Sequence, residues 1–213
     1  MFISLEGVDG SGKSTQLELL RAALVAEGRE VVATREPGGT ELGERVRALL
    51  LDGPDITPWA EAALFAAARA ELVERVIRPA LARGATVLCD RYLDSSLAYQ
   101  GLARGLGLER VLELNLSAVG GLLPDRTFLL LVDPLLAGER LGEPSDRIER
   151  EGQSFRAAVD AAYRQLAARF PERIVALDGA RPAAELAAQI RADLAAAARA
   201  RANLARAEGA PAP

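Results

Sequence analysis

The fold is decided by residues 7–15, Gly7-Val8-Asp9-Gly10-Ser11-Gly12-Lys13-Ser14-Thr15. This stretch matches the pattern Gly-x-x-x-x-Gly-Lys-Ser of the phosphate-binding loop in proteins that hydrolyse or transfer nucleotide phosphates. The apolar residues 2–6 precede the loop and predict a buried strand, and leucines at helical spacing follow it. A strand, a glycine-rich loop and a helix in this order are the context in which the motif binds phosphate.

Each residue type in the loop has a physical role. Glycines let several backbone N–H groups converge on phosphate oxygens, and the N-terminus of the following helix adds partial positive charge. Lys13 can reach the outer phosphates, and the hydroxyl of Ser14 can bind Mg²⁺. All nine residues, 7–15, are therefore predicted to bind ATP, with Ser14 as a metal ligand.

The alternative for this stretch is a plain glycine-rich turn between a strand and a helix. One observation argues against it: Lys13 is the only lysine in the chain, and every other cationic side chain is arginine. A planar guanidinium is a poor substitute for an ammonium group inside a tight loop. The retention of lysine here therefore favours the phosphate-binding interpretation.

Composition excludes several kinds of chemistry. The 213 residues include no histidine, which excludes a Ser-His-Asp triad and a histidine-bound metal. Cys89 is the only cysteine, so no intrachain disulfide forms, and a cytoplasmic enzyme is expected. Cys89 also lies in a buried-strand pattern with no histidine to activate it, which favours a core residue over a nucleophile. The net charge of −4 indicates neither a nucleic-acid nor a membrane partner.

Nearly continuous apolar strands alternate with helical segments along the chain. This pattern predicts an α/β fold in which a parallel sheet is covered by helices on both faces. We predict a single domain over residues 1–195 and an Ala/Arg-rich helical extension with a disordered end over residues 196–213. The strands are expected at residues 2–6, 30–34, 86–90, 126–133 and 173–177.

Helices are expected over residues 41–51, 58–84, 108–119, 134–141 and 154–170, with a last helix after Pro182. Pro79 is expected to kink or break the long second helix near its end. Ser95 with Tyr99, and Ser96 with Gln100, are spaced by four residues. If a helix begins here, this spacing presents polar groups toward one ligand.

Charged side chains follow the first three predicted strands. In open parallel sheets the ligand lies beyond the carboxyl ends of the strands, where these side chains should meet. Asp90 suits a water-mediated Mg²⁺ ligand, and Arg91 suits a phosphate. Any one of these residues could instead be a solvated loop charge. The set comprises Glu6, Asp9, Arg35, Glu36, Asp90 and Arg91.

Beyond the phosphate loop, several motifs resemble those of one enzyme family, the bacterial thymidylate kinases. The resemblance extends over about residues 1–190, and the stretch after the third strand is its most specific part. The matching stretches are Thr34-Arg35-Glu36-Pro37-Gly38-Gly39, Leu64-Phe65-Ala66-Ala67-Ala68-Arg69, Leu88-Cys89-Asp90-Arg91-Tyr92-Leu93-Asp94-Ser95-Ser96-Leu97-Ala98-Tyr99-Gln100 and Asp146-Arg147-Ile148-Glu149.

The resemblance implies the fold of P-loop nucleoside monophosphate kinases, with a five-stranded parallel sheet and a mobile lid at about residues 140–150. It implies ATP-dependent phosphorylation of dTMP to dTDP in dTTP synthesis, with Mg²⁺, by a homodimer. By position, Phe65 would stack on thymine, while Arg69 and Gln100 would hydrogen-bond the base. Tyr99 would crowd the sugar where a ribonucleotide carries its 2′-hydroxyl.

The remaining positions of the resemblance concern the phosphates. Arg35 and Arg91 would hold the acceptor phosphate, and Asp9 would lie near the sugar and the phosphates. Glu36, Pro37, Ser95 and Ser96 would line the same pocket. Lys13, Arg91, Asp9 and Arg147 are the predicted catalytic residues.

The lid departs from the family pattern. Members without an arginine in the phosphate loop usually carry several in the lid, and this loop has none. The lid offers Arg140, Arg147 and Arg150, and its sequence is interrupted by Gly142 and Pro144. We favour Arg147, because it lies inside the Asp-Arg-Ile-Glu stretch, while the other two stay open.

Two other functions fit the sequence. One is a kinase for a different nucleotide or small molecule on the same fold. The other is a nucleotide-dependent switch or binding protein. The guanine-binding motif Asn-Lys-x-Asp requires a second lysine, which the chain lacks, so a GTPase switch is disfavoured.

Overall fold

The structure is a computed structural model that describes residues 1–141 and 146–207. Part of the predicted lid, residues 142–145, and the chain end at 208–213 lie outside the described residues. The expected disordered end of the chain therefore stays a prediction.

A five-stranded, all-parallel sheet forms the centre of the molecule, with strand order β2-β3-β1-β4-β5. Continuous apolar segments form its middle strands, because these strands are covered on both faces. The predicted sheet is confirmed. The strands are β1 (Phe2–Glu6), β2 (Val31–Arg35), β3 (Thr86–Asp90), β4 (Arg126–Leu131) and β5 (Ile174–Asp178).

The register aligns the carboxyl ends of neighbouring strands. Asp90 of β3 pairs with Leu5 of β1 on one side and with Arg35 of β2 on the other. Asp178 of β5 pairs with Leu131 of β4 at the far side of the sheet. The charged residues that end these strands therefore lie along one edge, beside the phosphate loop that follows β1.

Side chains of β1 alternate between two cores. Phe2 packs edge-on against Tyr92 in the core on one face, whereas Ile3 and Leu5 belong to the core on the opposite face. Alternation by two is the geometry of an extended strand. It places the Glu6 side chain on the same face as Phe2, where it accepts a hydrogen bond from Tyr163.

Helices cover both faces of the sheet. Most of their boundaries lie within a few residues of the predicted ones. The helices are α1 (Lys13–Ala26), α2 (Glu41–Leu51), α3 (Pro58–Leu72), α4 (Arg78–Ala82), α5 (Leu93–Ser96), α6 (Leu108–Ala118), α7 (Pro134–Leu141), α8 (Gln153–Arg169) and α9 (Ala183–Ala207), with a 3₁₀ turn at Glu149–Glu151.

Two helices contain π-helical segments that were not predicted. Val73–Ile77 joins α3 to α4, and the Arg78 amide bonds the Val73 carbonyl five residues back. The chain thus stays helical through Pro79 to Ala82, and the wider turn lies just before Pro79, near the expected kink or break. Leu97–Ala103 extends α5 in the same way. The expected four-residue spacing from Ser95 is therefore not the spacing of a regular α-helix.

The described helices carry no candidate membrane span. Within residues 1–141 and 146–207, none of them is long and apolar enough to cross a bilayer.

Candidate functional site

The phosphate loop takes a conformation that its glycines make possible. Gly7 has φ 137°, and a Cβ atom there would overlap the Leu130 carbonyl oxygen of β4. Gly12, with φ 97°, precedes α1 in the left-handed region. Such φ values favour glycine, since other residues pay a steric cost. The loop therefore passes tightly against the sheet and brings Lys13 to the start of α1.

Lys13 is buried and folded back over its own loop. Its Nζ donates to the carbonyl oxygens of Gly7 and Val8 at 3.1 and 3.0 Å, and lies 3.7 Å from Asp9 Oδ1. Burial and the nearby Arg91 cation lower the pKa of Lys13. Asp9 balances the charge of Lys13 only in part. A bound anion such as a phosphate would supply the rest of the negative charge.

The loop opens into a cavity of about 690 Å³, which we call the loop cavity. Cationic side chains surround it from several parts of the chain. Arg35 is the last residue of β2 and also pairs with Glu44 at 3.1 Å, and Arg140 lies on α7. Its lining includes Asp9, Gly10, Ser11, Gly12, Lys13, Ser14, Thr15, Arg35, Arg47, Asp90, Arg91, Arg140 and Arg181.

A second, narrower cavity of about 80 Å³ lies beside the first, and we call it the inner cavity. Apart from Arg35, the predicted substrate-binding residues all line it. The structure thus brings together side chains from the β2–α2 loop, α3 and α5 with its π-helical extension. Its lining includes Asp9, Glu36, Pro37, Arg47, Leu51, Phe65, Arg69, Arg91, Ser95, Ser96, Tyr99, Gln100, Asp146 and Ile148.

Arg91 and Asp9 line both cavities and form an ion pair between them. Arg91 has φ 69°, an uncommon value outside glycine, and its side chain also donates to the Gly7 carbonyl at 2.9 Å. Burial alone would raise the pKa of Asp9, but Arg91 and Lys13 lower it well below its usual range. A fixed cation, Arg91, and a fixed carboxylate, Asp9, therefore lie where the two cavities meet. We call this place the junction.

The side chains of Ser14 and Asp90 fit a divalent cation. Ser14 Oγ donates to Asp90 Oδ2 at 3.1 Å, while Asp90 Oδ1 is buried without a hydrogen-bond partner. Among the described side chains, no cluster of three acidic, histidine or cysteine groups could hold a metal alone. A hard cation held partly by water and nucleotide phosphates needs only a few protein oxygens.

Arg69 lines the inner cavity and is held there by buried partners. Its side chain is 1% exposed, and its Nε donates to Glu36 Oε2 at 2.7 Å. The guanidinium also donates to Ser96 Oγ at 3.0 Å and to Asn115. The predicted base-binding arginine is thus held in one orientation by buried partners, while the other oxygen of Glu36 lacks a partner.

A second buried network of hydrogen bonds holds the Arg91 side chain in place. Arg91 donates to Ser95 Oγ and to Tyr163 Oη at 3.2 and 3.3 Å. Glu6 accepts from the same two hydroxyls at 2.7 and 2.9 Å, and from the Tyr92 amide. Burial and the nearby Asp94 carboxylate raise the pKa of Glu6 to about 7. Sequence reasoning missed Tyr163, whose aromatic character in α8 suggests only a core residue.

Two of the lid arginines, Arg147 and Arg140, lie in different surroundings. Arg147 is buried against α2 and α3: its Nε donates to the Leu50 carbonyl at 2.9 Å, and it pairs with Glu61. It lines neither the loop cavity nor the inner cavity. Arg140 instead donates to the Gly10 and Gly179 carbonyls at 3.3 and 3.4 Å. Glu61 therefore holds the charge of Arg147 away from both cavities in this structure, and the catalytic role expected for Arg147 stays a prediction.

Three further residues at or next to the cavities were not predicted from the sequence. Arg47 of α2 lines both cavities and donates to the Pro37 carbonyl at 3.0 Å. Arg181 enters the loop cavity from the turn after β5. Glu61 lies on α3 four residues before Phe65 and eight before Arg69, so all three share one helical face. The spacing could have indicated from the sequence that Glu61 lies near the site. No local sequence pattern indicates this for Arg47 or Arg181.

The fold and the site define a class of protein. A phosphate loop after the central strand of a parallel sheet, opening into two joined cavities, is the arrangement of a P-loop nucleotide-binding phosphotransferase. The thymidylate kinase family profile matches residues 5–190. The chain belongs to this family, which confirms the predicted enzyme class.

Individual relatives agree with the family profile. The chain is 50% identical over 199 residues to a thymidylate kinase of Bifidobacterium longum strain DJO10A, covering 91% of this chain and 97% of the relative. It is 54% identical over 195 residues to that of Leifsonia xyli subsp. xyli, covering 90% and 92%. It is 50% identical over 194 residues to that of Deinococcus radiodurans, covering 89% and 94%.

Proposed function

We propose that this protein transfers the terminal phosphate of ATP to dTMP, forming ADP and dTDP for dTTP synthesis. One observation carries the proposal: the loop cavity and the inner cavity meet at Arg91 and Asp9. A donor phosphate in the first cavity and an acceptor phosphate in the second would meet beside a fixed cation. Membership of the thymidylate kinase family supports the same reaction.

ATP binds in the loop cavity in this proposal, with its phosphates against residues 7–15. The loop amides and Lys13 neutralise phosphate charge, which is the main contribution that a protein makes to phosphoryl transfer. Ser14 directly, and Asp90 through water, would hold Mg²⁺, which supplies charge neutralisation on the phosphates when bound. The unpartnered, buried Asp90 Oδ1 supports this assignment.

The acceptor phosphate lies at the junction, held by Arg91 with Arg35. Arg47 joins them in the proposal, because it lines both cavities. Asp9 keeps Arg91 in place through their ion pair and lies near the sugar and the phosphates. Among the lid arginines, Arg140 is favoured to meet the transferring phosphate, since it already reaches the Gly10 carbonyl.

The inner cavity holds the nucleoside. Phe65 stacks on thymine, and Arg69 donates to a carbonyl oxygen of the base, while Gln100 bonds the ring edge. Ser95, Ser96, Glu36 and Pro37 complete the walls. Tyr99, with its ring centroid 5.5 Å from Arg91 Cζ, crowds the position of a ribose 2′-hydroxyl. This arrangement favours dTMP over ribonucleotides.

We further propose a homodimer in the cytoplasm, made of one kinase domain (residues 1–195, lid at about 140–150) with a C-terminal extension from residue 196. Resemblance to the family supports the dimer, and a single buried cysteine fits a reducing compartment. Sedimentation equilibrium of the purified chain tests the dimer: a monomer at micromolar concentration would contradict it.

Product analysis tests the proposed reaction. The protein is incubated with ATP, Mg²⁺ and one nucleoside monophosphate at a time, and the products are separated by chromatography. We expect dTDP and ADP in equal amounts from dTMP. Transfer mainly to another monophosphate would indicate a different kinase, and nucleotide binding without transfer to any acceptor would indicate a switch protein.

A further inference from the structure

Glu61 is a buried carboxylate at the back of the inner cavity. Its side chain is 1% exposed, and it is not among the residues that line the cavity. Gln100, which does line the cavity, donates from Nε2 to Glu61 Oε1 at 2.9 Å. Arg104 donates to both Glu61 oxygens at 2.7 and 3.1 Å, and Arg147 pairs with Oε2.

These contacts define which groups Glu61 can offer. Burial alone would raise the pKa of Glu61, but hydrogen bonds from Arg104, Arg147 and Gln100 lower it. The carboxyl is therefore ionised at neutral pH and can only accept hydrogen bonds. An acceptor at this place must face the amide NH₂ of Gln100, because the amide oxygen would be repelled.

We propose that Glu61 is a positioning residue for base selection, which fixes the Gln100 amide so that its carbonyl oxygen, and not its NH₂ group, faces the base. The inference rests on the proposed function. Glu61 itself does not touch the substrate in this scheme. Its effect reaches the base through one side chain, which is held by a single hydrogen bond.

The orientation of Gln100 distinguishes two pyrimidines. Thymine presents a ring N3–H that donates to the Gln100 oxygen, and a carbonyl that accepts from Arg69. Cytosine presents an unprotonated N3, which would oppose the Gln100 oxygen, and an amino group, which would oppose Arg69. Buried mismatches of this kind exclude an analogue strongly. Uracil has the same two groups as thymine and lacks only the methyl group.

The Glu61→Gln variant tests the inference. A glutamine at 61 can present either its oxygen or its NH₂, so Gln100 becomes free to turn over and donate to cytosine N3. We expect the ratio of kcat/KM for dTMP to that for dCMP to fall by about tenfold or more, the size of one buried hydrogen bond. The ratio of dTMP to dUMP should stay unchanged, because the two bases share the affected groups.

Matched variants separate positioning from general damage. Glu151 also pairs with Arg104, at 2.7 Å, but has no hydrogen bond to Gln100. Glu151→Gln should therefore leave the dTMP-to-dCMP ratio unchanged. In a Gln100→Ala background, Glu61→Gln should have no further effect on that ratio. If Glu61→Gln does not fold, Glu61→Asp keeps the charge for Arg104 and Arg147 but withdraws the oxygen from Gln100, and the ratio should still fall.

Two results have distinct meanings. If the unmodified protein does not prefer dTMP, the proposed function fails. If it prefers dTMP but Glu61→Gln or Glu61→Asp lowers activity on dTMP and dCMP by equal factors, only the role of Glu61 is overturned. A fall in the dTMP-to-dUMP ratio of the same size would also overturn it, since that would indicate a distorted cavity.

Discussion

The loop cavity and the inner cavity, which share Arg91 and Asp9, are built in different ways. Most of the groups proposed to bind phosphate in the first belong to one continuous segment, residues 7–15, whose backbone is shaped by glycine. The second is assembled from several helices and loops, and buried ion pairs such as Arg69–Glu36 fix its side chains. The proposed binding of phosphates thus relies on a local sequence motif. The proposed selection of the base relies on tertiary structure.

This difference predicts separable consequences of substitution. Changes in the loop cavity should reduce turnover on every acceptor by similar factors. Changes in the inner cavity should alter the preference among acceptors. Changes at the junction should affect the transfer step more than the binding of ATP.

Lys13→Ala should have the largest effect. It removes the cation that we propose lies beside the donor phosphates, and we expect turnover to fall on the order of 10²- to 10³-fold for all acceptors alike. Steady-state kinetics with dTMP and dUMP measures this, and circular dichroism checks that the fold is kept. Arg21→Ala, an exposed cation on the same helix, is the control and should behave like the unmodified protein. Lys13→Ala turnover within a few-fold of normal would contradict the assignment of the loop.

Arg91→Ala should lower turnover by about 10²-fold and raise the KM for ATP much less. The reason is its position between the cavities, where we propose that it holds the acceptor phosphate. Full kinetics in both substrates measures the two effects. Arg83→Ala removes an exposed arginine and should change neither. An effect on the KM for ATP alone would place Arg91 in the loop cavity only.

Glu6, beneath the junction, should make stability depend on pH. Its pKa is about 7 in the folded protein against 4.5 for an ordinary glutamate, so the folded state holds a proton that the unfolded state releases in this window. The contribution of Glu6 to stability is therefore fully present below about pH 4.5 and is lost as the pH rises through about 7. Denaturant unfolding should show the protein losing about 2 kcal/mol relative to Glu6→Gln between pH 5 and 7.5. Parallel pH profiles for the two proteins would contradict the raised pKa.

Phe65→Ala should have the smallest effect, about tenfold in the KM for dTMP, with the KM for ATP unchanged. Base–aromatic stacking is worth roughly 1–3 kcal/mol per base. Phe65→Leu keeps apolar volume without an aromatic face. Its KM for dTMP should lie between that of Phe65→Ala and that of the unmodified protein. If both variants bind dTMP as tightly as the unmodified protein, Phe65 is a core residue and not a stacking platform.

The same contrast explains what could be predicted from sequence. The sheet and the phosphate loop depend on local patterns, and both were predicted in place. The location of Arg147 was not, because it depends on a buried partner, Glu61, that lies 86 positions earlier in the chain. Arg47 was missed for a similar reason: nothing in its local sequence indicates that α2 packs beside both cavities.

The π-helical segments also could not be predicted from local sequence patterns. Residues 97–103 carry no local sequence pattern that predicts the wider turn, and the segment packs against α6 and α8. Contacts made by tertiary packing therefore determine details that propensity leaves undetermined.

The central claim is that the inner cavity selects thymine. Its most direct test is the initial rate at fixed ATP and Mg²⁺ with dTMP, dUMP, dCMP, AMP, GMP and CMP, each over a range of concentrations. We predict the highest kcat/KM for dTMP, a lower value for dUMP through lost methyl packing, and hardly any transfer to dCMP. A higher kcat/KM for AMP, GMP or CMP than for dTMP would contradict the account, even though the kinase fold would stand.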